Sequence, residues 1–346
     1  MIQKNYPLAL WLVISLSSLI LTILLVPAIL VKKHDLPESA PTPSIYGAAD
    51  KANEAVAEQP IVVPVYLSKQ QRTEQLNLEK YIQGVIAAEM PIEFEPEALK
   101  AQAMAARTYV VRRLLEQEKG AVSEKEAPVT DTTSHQAYVT DDELKARWGE
   151  QYAPNMDKLN KAVQETAGQI LTYRGQPIDA TFFSTSNGYT ENSEDYWERY
   201  IPYLRSVPSP WDLKLSPRYK GTVTIPLKDV QRKLGLAGAI PVGSSNAGIK
   251  VLERSEGHRI KKISIGGKTF TGREVRENLG LDSSQFEWVW TGGNLQFTTY
   301  GYGHGVGMSQ WGANGMAKEG RRAEEIVKYY YSGIEISQAS SFFSKH

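Results

Sequence analysis

From Leu78 to Gln117 the chain reads as an apolar helix, a proline stop and a second, alanine-rich helix that belongs inside a fold. Ile82, Val85 and Ile86 precede Glu89 by seven, four and three residues, so at about 3.6 residues per turn they share its face. Pro91 disfavours helical geometry at Met90 and ends the first helix at Glu89, leaving that acid on a helix-to-loop corner. A carboxylate in such apolar surroundings is either paired or partly neutral. The second helix, from Glu97 to about Gln117, is rich in Ala and Leu, with few polar residues before Arg112. Lys100 and Arg107 share one side of it, and Arg107 needs an anionic or polar partner, for which Glu89 and a bound substrate are both candidates. A plain salt bridge between neighbouring helices is the bland alternative.

Leu8 to Val31 is an almost unbroken apolar run without charge, long enough at about 1.5 Å per residue to span a hydrocarbon core of about 30 Å. It exceeds the usual signal-peptide core of roughly 7–15 residues and has no convincing cleavage site, so an uncleaved transmembrane anchor over 8–31 is expected, after a cytoplasmic tip at 1–7. Lys4 stands on one side of it and Lys32 with Lys33 on the other, a count that mildly opposes an outward carboxyl end. Residues 32–60, with several Pro and many Ala, Glu and Ser, read as a flexible linker.

The 346 residues carry 39 basic and 39 acidic side chains, and the neutral balance gives no support to a nucleic-acid partner. The absence of cysteine is compatible with an oxidising exterior. After the linker, Ile61 to Leu67 reads as an edge strand or a strand pair interrupted by Pro64. A long helical stretch from Asp141 to Gln164 breaks near Pro154, and Gly168 to Ile178 forms strand, turn and strand around Arg174-Gly175. Between about 219 and 281, short alternating strands separated by Gly and Ser turns are interrupted by helical Leu227–Leu234 and Arg273–Leu279. The expected class is α+β: a mixed helical and β domain over 61–335, an inserted β-rich subdomain at about 219–281, and a tail at 336–346.

Two further segments carry candidate chemistry. Ser184-Thr185-Ser186-Asn187-Gly188 is a cluster of small hydrogen-bonding groups ending in a turn. It reads either as a polar loop or as a strip of donors and acceptors for sugar hydroxyls and acetamido groups, continued by Thr190, with Tyr189, Trp197 or Tyr203 as stacking surface. No Gly-x-Ser-x-Gly elbow surrounds Ser186, so it is no triad nucleophile. In Gly301-Tyr302-Gly303-His304-Gly305-Val306-Gly307, alternate glycines permit positive φ and close backbone approach. A nucleotide site is not expected there, since the Lys-Ser/Thr ending and the preceding βαβ context are missing. His304, Ser309 and Gln310 read as glycan contacts or their supports, against the alternative of a tight loop held by a buried histidine.

Val85-Ile-Ala-Ala-Glu-Met-Pro91 with Glu97 to Tyr109, then Phe182 to Ser193 with Ile201 to Val207, then Gly301 to Ala317, occur in the order of the blocks of the stage II sporulation protein D family. Together they cover roughly residues 60 to 335, and the chain resembles that family, amidase-enhancer relatives included. The resemblance implies a domain outside the cytoplasmic membrane, in the septal or engulfing membrane of the sporulating cell. It implies work on denuded peptidoglycan glycan strands during forespore engulfment, beside a cell-wall amidase and a multispanning membrane scaffold. Some relatives assemble a zinc site near the position of His135 from His and Cys; without cysteine this chain departs from that pattern, and Asp131 with His135 are too few ligands. No metal and no cofactor are expected.

The resemblance offers one acid, whereas most glycosidases use two. One suffices for a lytic transglycosylase, in which the 6-hydroxyl of N-acetylmuramic acid attacks its own anomeric carbon and leaves a 1,6-anhydro end. Glu89 would then act first as acid and next as base, with a raised pKa so that each form is accessible. Arg107 facing it unshielded would push that pKa the wrong way, so Arg107 is expected to contact glycan or be balanced by another acid. The alternatives are a non-catalytic glycan-binding activator of an amidase, and a hydrolase in which Glu93, Glu191 or Asp195 is the second carboxylate.

Overall fold

The computed structural model describes residues 60–118, 129–236 and 248–343. The expected membrane span and nearly all of the linker lie outside the described residues, among which no helix is long and apolar enough to cross a membrane. Glu58–His346 forms one compact unit of mixed helix and sheet.

Strands β1 (Val62–Leu67) and β2 (Arg72–Asn77) form an antiparallel hairpin, and β3 (Val129–Thr130) adds to β1 in parallel. β1 is therefore the central strand of a three-stranded sheet and not the expected edge. Pro64 is tolerated there because β3 pairs only with Val65 and Tyr66, leaving Pro64 beside an open stretch of ladder.

Helix α1 (Leu78–Glu89) starts where the Asn77 side chain accepts the Glu79 amide at 3.0 Å. It ends where Met90, held extended by the following proline, turns the chain out at φ −121° and ψ 143°. Its Tyr81, Ile82, Val85 and Ile86 are fully buried. Helix α2 (Pro96–Glu118) is buried around its whole circumference from Leu99 to Thr108 apart from Lys100, as a run of small alanines allows. Against it pack α1, α4 (Tyr152–Gln164), β4 (Gln169–Tyr173), α9 (Gln310–Lys318) and α10 (Ala323–Tyr330). Thr108 fastens α2 to β4, its Oγ1 donating to Met104 O at 2.6 Å and accepting the Leu171 amide at 2.8 Å.

The expected break at Pro154 falls elsewhere. Helix α3 (Asp141–Trp148), opened by a Thr140/Glu143 capping box, stops at Gly149 with φ +51°, and Pro154 sits inside the first turn of α4, where its missing N–H costs nothing. β4 turns through Arg174 and Gly175, both at positive φ, into β5 (Gln176–Pro177). β14 (Glu335–Gln338) pairs antiparallel with β4, so residues 336–338, expected to begin a tail, add a strand to a sheet of the domain.

β6 (Phe182–Phe183) and α5 (Ser193–Trp197) lead to α6 (Asp212–Leu215) and a second hydrophobic core. That core is built from β7 (Lys220–Pro226), α7 (Leu227–Lys233), β8 (Ile249–Arg254), β9 (Ile260–Ile265), β10 (Lys268–Thr271), α8 (Gly272–Leu279), β11 (Phe286–Thr291) and β12 (Asn294–Tyr300). The strands make two antiparallel sheets, ordered β10-β9-β8 and β11-β12-β7. The core reaches past 281, because Phe286, Leu295 and Phe297 complete it opposite Ile225. Beyond it the glycine-rich loop leads into β13 (Met308–Ser309), parallel to β6.

Arg259 joins this region to that loop. Its buried guanidinium lies 3.8 Å from buried Glu191 and donates to Ser283 Oγ at 2.8 Å and Gly303 O at 3.3 Å. Gly305, at φ +91°, lies directly against the guanidinium, where any β-carbon would collide.

Candidate active site

Glu89 is the last residue of α1, half-buried beside its apolar face. Its Oε1 accepts the Ala137 amide at 3.2 Å and its Oε2 accepts Gln310 Nε2 at 3.3 Å. Burial raises its pKa, and the bonds from Gln310 and Ala137 partly oppose that rise. The position at a helix carboxyl terminus, where the backbone carbonyls present partial negative charge, acts in the same direction as burial. Neither a cation nor another carboxylate is among the groups that shift it. The result is an acid held by two donors that stays protonated to higher pH than an ordinary glutamate.

Each donor has its own support. The Ala137 loop is anchored by buried Gln136, which accepts from Tyr81 Oη at 3.1 Å and donates to Ala106 O at 3.4 Å. Val139 N donates to Gly84 O at 3.3 Å, and the Tyr138 ring lies on Gly84. Gln310 is the first residue of α9, whose N-cap Ser309 accepts the Gly312 amide at 3.2 Å. Trp311 donates its amide to Ser184 O at 3.1 Å and meets Phe94 edge to face at 4.7 Å.

Of the residues expected to form the site, Glu89 and Gln310 touch, and Ser309 and Ser184 stand directly behind them. The others have interior roles. Arg107 is fully buried, with Nε and Nη2 on the Glu79 carboxylate at 3.0 and 2.7 Å and Nη1 on Gln169 O at 3.0 Å, so it is balanced by another acid and faces no substrate. Thr185, Ser186 and Thr190 are fully enclosed: Thr185 Oγ1 bonds Ser216 Oγ at 2.7 Å, Ser186 Oγ donates to Ser209 O at 2.9 Å, and Thr190 Oγ1 donates to Arg205 O at 3.2 Å. Asn187 is nearly enclosed and donates to Gly257 O at 2.7 Å. The expected strip of sugar contacts is mostly a buried scaffold, because loops this polar lie inside only when their groups bond each other.

His304 is also a support. Its Nδ1 accepts the Val306 amide at 3.0 Å while Nε2 bonds Phe182 O at 3.0 Å, and Phe183, Tyr196 and Trp197 surround the ring. Burial and the nearby Arg276 and Arg259 push its pKa down to about 3, so it is a neutral imidazole. Tyr203 is half-buried, its hydroxyl accepting the Asp179 amide at 2.9 Å and its ring inclined on Tyr173. His135 bonds Thr130 N at 3.2 Å through Nδ1 and Arg113 at 3.2 Å through Nε2. Among the described residues no group of three or more His, Cys, Asp or Glu could hold a metal.

The three acids considered as a second carboxylate lie elsewhere. Glu93 is exposed, Asp195 pairs with Lys261 at 2.8 Å, and Glu191 sits against Arg259 and accepts Ser255 Oγ at 2.8 Å. Sequence reasoning missed Asp212, which is fully buried beside α9 and bonded to Ser186 N, Ser209 and Ser309. Its signal was Ser209-Pro-Trp-Asp212, a spacing that lets the serine hydroxyl reach the carboxylate.

One half-buried acid thus closes the first helix of the helical core, and a second, β-rich core is joined to the glycine loop through Arg259. Residues 66–173 match the family model described as Stage II sporulation protein. The chain belongs to the stage II sporulation protein D family. It is 47% identical over 340 residues to Stage II sporulation protein D of Bacillus subtilis (strain 168), covering 96% of this chain and 97% of that one. It is equally similar, at 47% over 341 residues, to Stage II sporulation protein D of Bacillus amyloliquefaciens, with 96% and 97% covered. A more distant relative, 30% identical over 305 residues, is named Amidase enhancer, from Bacillus subtilis (strain 168); the match spans 74% of this chain and 40% of that one.

Proposed function

We propose that the domain is a peptidoglycan lytic transglycosylase that cleaves between N-acetylmuramic acid and N-acetylglucosamine in strands already stripped of stem peptides. The observation that carries this reading is Glu89: a single carboxyl group with a raised pKa, held by two hydrogen bonds and free of any cation. Protonated, it delivers its proton to the glycosidic oxygen as that bond breaks. As the carboxylate it then takes the proton of the 6-hydroxyl while that oxygen closes on the anomeric carbon. The proton given in the first half is regained in the second, so neither an activated water nor a second carboxylate is required, unlike most glycosidases. Ala137 N and Gln310 Nε2 orient the group and keep its ionised form accessible.

Membership of a sporulation family supports a role in that process, and we further propose that the 8–31 segment anchors the domain outside the cytoplasmic membrane. A cell-wall amidase that clears the stem peptides and a membrane scaffold would be its partners. Mass analysis of products from peptide-free glycan tests the proposal: the parent domain releases 1,6-anhydro ends and Glu89→Gln does not. Undiminished anhydro product from Glu89→Gln removes Glu89 from the reaction, and ordinary reducing ends make the enzyme a hydrolase.

The name of the Amidase enhancer relative favours a second reading, in which the domain binds glycan and activates an amidase without cutting. In that case the isolated domain leaves glycan length unchanged, and peptide release rises only when amidase is added.

A further inference from the structure

Three polar segments of the fold converge on Asp212. Its side chain is fully buried; Oδ1 accepts the Ser186 amide at 2.7 Å and the Ser309 hydroxyl, and Oδ2 accepts Ser209 Oγ at 2.7 Å. Ser209 Oγ is shared with Tyr330 Oη at 2.9 Å, which ties α10 into the same cluster. The cluster fits under α9 only because residue 312 is glycine: a β-carbon there would collide with Tyr330 Oη and Ser209 Oγ and lie 2.9 Å from Asp212 Oδ2.

Ser309 is the link outward. Its proton goes to Asp212, which leaves its lone pairs to accept the Gly312 amide and so to cap α9. With the cap fixed, and Trp311 N fixed on Ser184 O, the first turn of α9 has one register, in which Gln310 Nε2 reaches Glu89 Oε2. We propose that Asp212 is a positioning residue for Glu89, acting through the Ser309 cap to hold Gln310 against the carboxylate. The inference rests on Glu89 being the functional acid, and it explains why an acid is buried among serines so far along the chain.

Glu89 is the group whose titration reports the link. Facing it or its immediate backbone are Tyr81 on its own helix, Arg147 of α3 on Ala87 O at 3.2 Å and Lys158 of α4 on Ile92 O at 2.7 Å. Neither cation is among the groups that shift Glu89. Loss of a hydrogen bond from Gln310 removes one of the two contacts that favour the ionised form, so the Glu89 pKa rises, by about one unit for a bond to a charged group.

The test is a carboxyl-carbon NMR titration of Glu89 in the folded domain, in the parent and in Asp212→Ala, Ser309→Ala, Gln310→Leu and the two pairwise combinations with Gln310→Leu. Asp212→Ala and Ser309→Ala should each raise the Glu89 pKa by about one unit, and should add nothing once Gln310 is Leu. An unchanged Glu89 pKa in Asp212→Ala and Ser309→Ala, with only the melting temperature lowered, overturns the proposal and makes Asp212 purely structural. Should Asp212→Ala fail to fold, Ser309→Ala decides alone, since it severs the link and leaves the other partners of Asp212 in place. The titration needs no turnover, so absence of anhydro product from the parent would defeat the enzymatic reading while leaving this one to be judged separately.

Discussion

The ring of Tyr138 lies directly on Gly84, and a β-carbon at residue 84 would collide with that ring and lie 2.7 Å from Val139 O. This contact sets the height of the loop that delivers the Ala137 amide to Glu89. Gly84→Ala therefore acts on the acid five residues further along the helix. We expect it to cost about 1–3 kcal/mol in chemical denaturation, as overpacking does. Glycan cleavage should fall by more than the unfolded fraction accounts for.

Gln310→Leu keeps the size of the side chain and removes the donor to Glu89 Oε2. Because that bond lowers the Glu89 pKa against the effect of burial, its loss raises the pKa further. The protonated acid then survives to higher pH, and the alkaline limb of the activity profile moves up by about one unit. A pH–rate profile on peptide-free glycan reads the shift; an unmoved limb means Gln310 does not tune Glu89.

Arg107→Ala should impair folding and not substrate affinity. The guanidinium is enclosed, and its removal leaves Gln169 O short of a donor and Glu79 without its cation, although the Gly168 amide still donates to that carboxylate. Breaking a buried pair from one side costs about 3–5 kcal/mol, towards the lower end here because Glu79 is partly exposed. Urea titration measures it. A stable Arg107→Ala protein with a raised KM would return Arg107 to a part in substrate binding.

Two buried groups titrate in opposition. Burial pushes Glu191 up to about 7 from 4.5, against the pull of Arg259 and Ser255, so this group favours the folded state at low pH and that contribution fades as pH rises through 4.5 to 7. His304, pushed down to about 3 from 6.5, contributes stability above 6.5 that is lost as pH falls. Between about pH 4.5 and 6.5 the two slopes offset each other. Glu191→Gln removes the first, so melts across pH 4.5–7.5 should reveal a stability that falls more steeply towards acid than the parent's. Parallel melting curves for the two proteins would contradict the buried-acid assignment.

Much of this was legible in the residues. The spacing of Ile82, Val85 and Ile86, with Pro91 behind Glu89, specifies a helix that ends on an acid, and the helix does end there. Local patterns also located strands and helices of the β-rich region, because period-two alternation between Gly and Ser turns is a short-range signal. What sequence could not reveal was direction. Ser186 and Thr190 have the composition of a sugar-binding loop, yet they face inward, because Asp212, Ser209 and Arg205 arrive from later in the chain to satisfy them. Arg107 likewise found its acid one helix away at Glu79 and not at Glu89, a choice of helix face that spacing along α2 alone leaves open. The break at Gly149 in place of Pro154 has the same lesson on a smaller scale: a proline in a first turn is no stop.

The burial of α2 on every side has a consequence for biosynthesis. Two of its covering helices, α9 and α10, are encoded at the far end of the chain, so one side of α2 stays uncovered on the growing polypeptide after α1, α4 and β4 have been made. At roughly 5–20 residues per second, translation leaves that side bare for several seconds. The helical core can close over it only once nearly the whole chain has been synthesised.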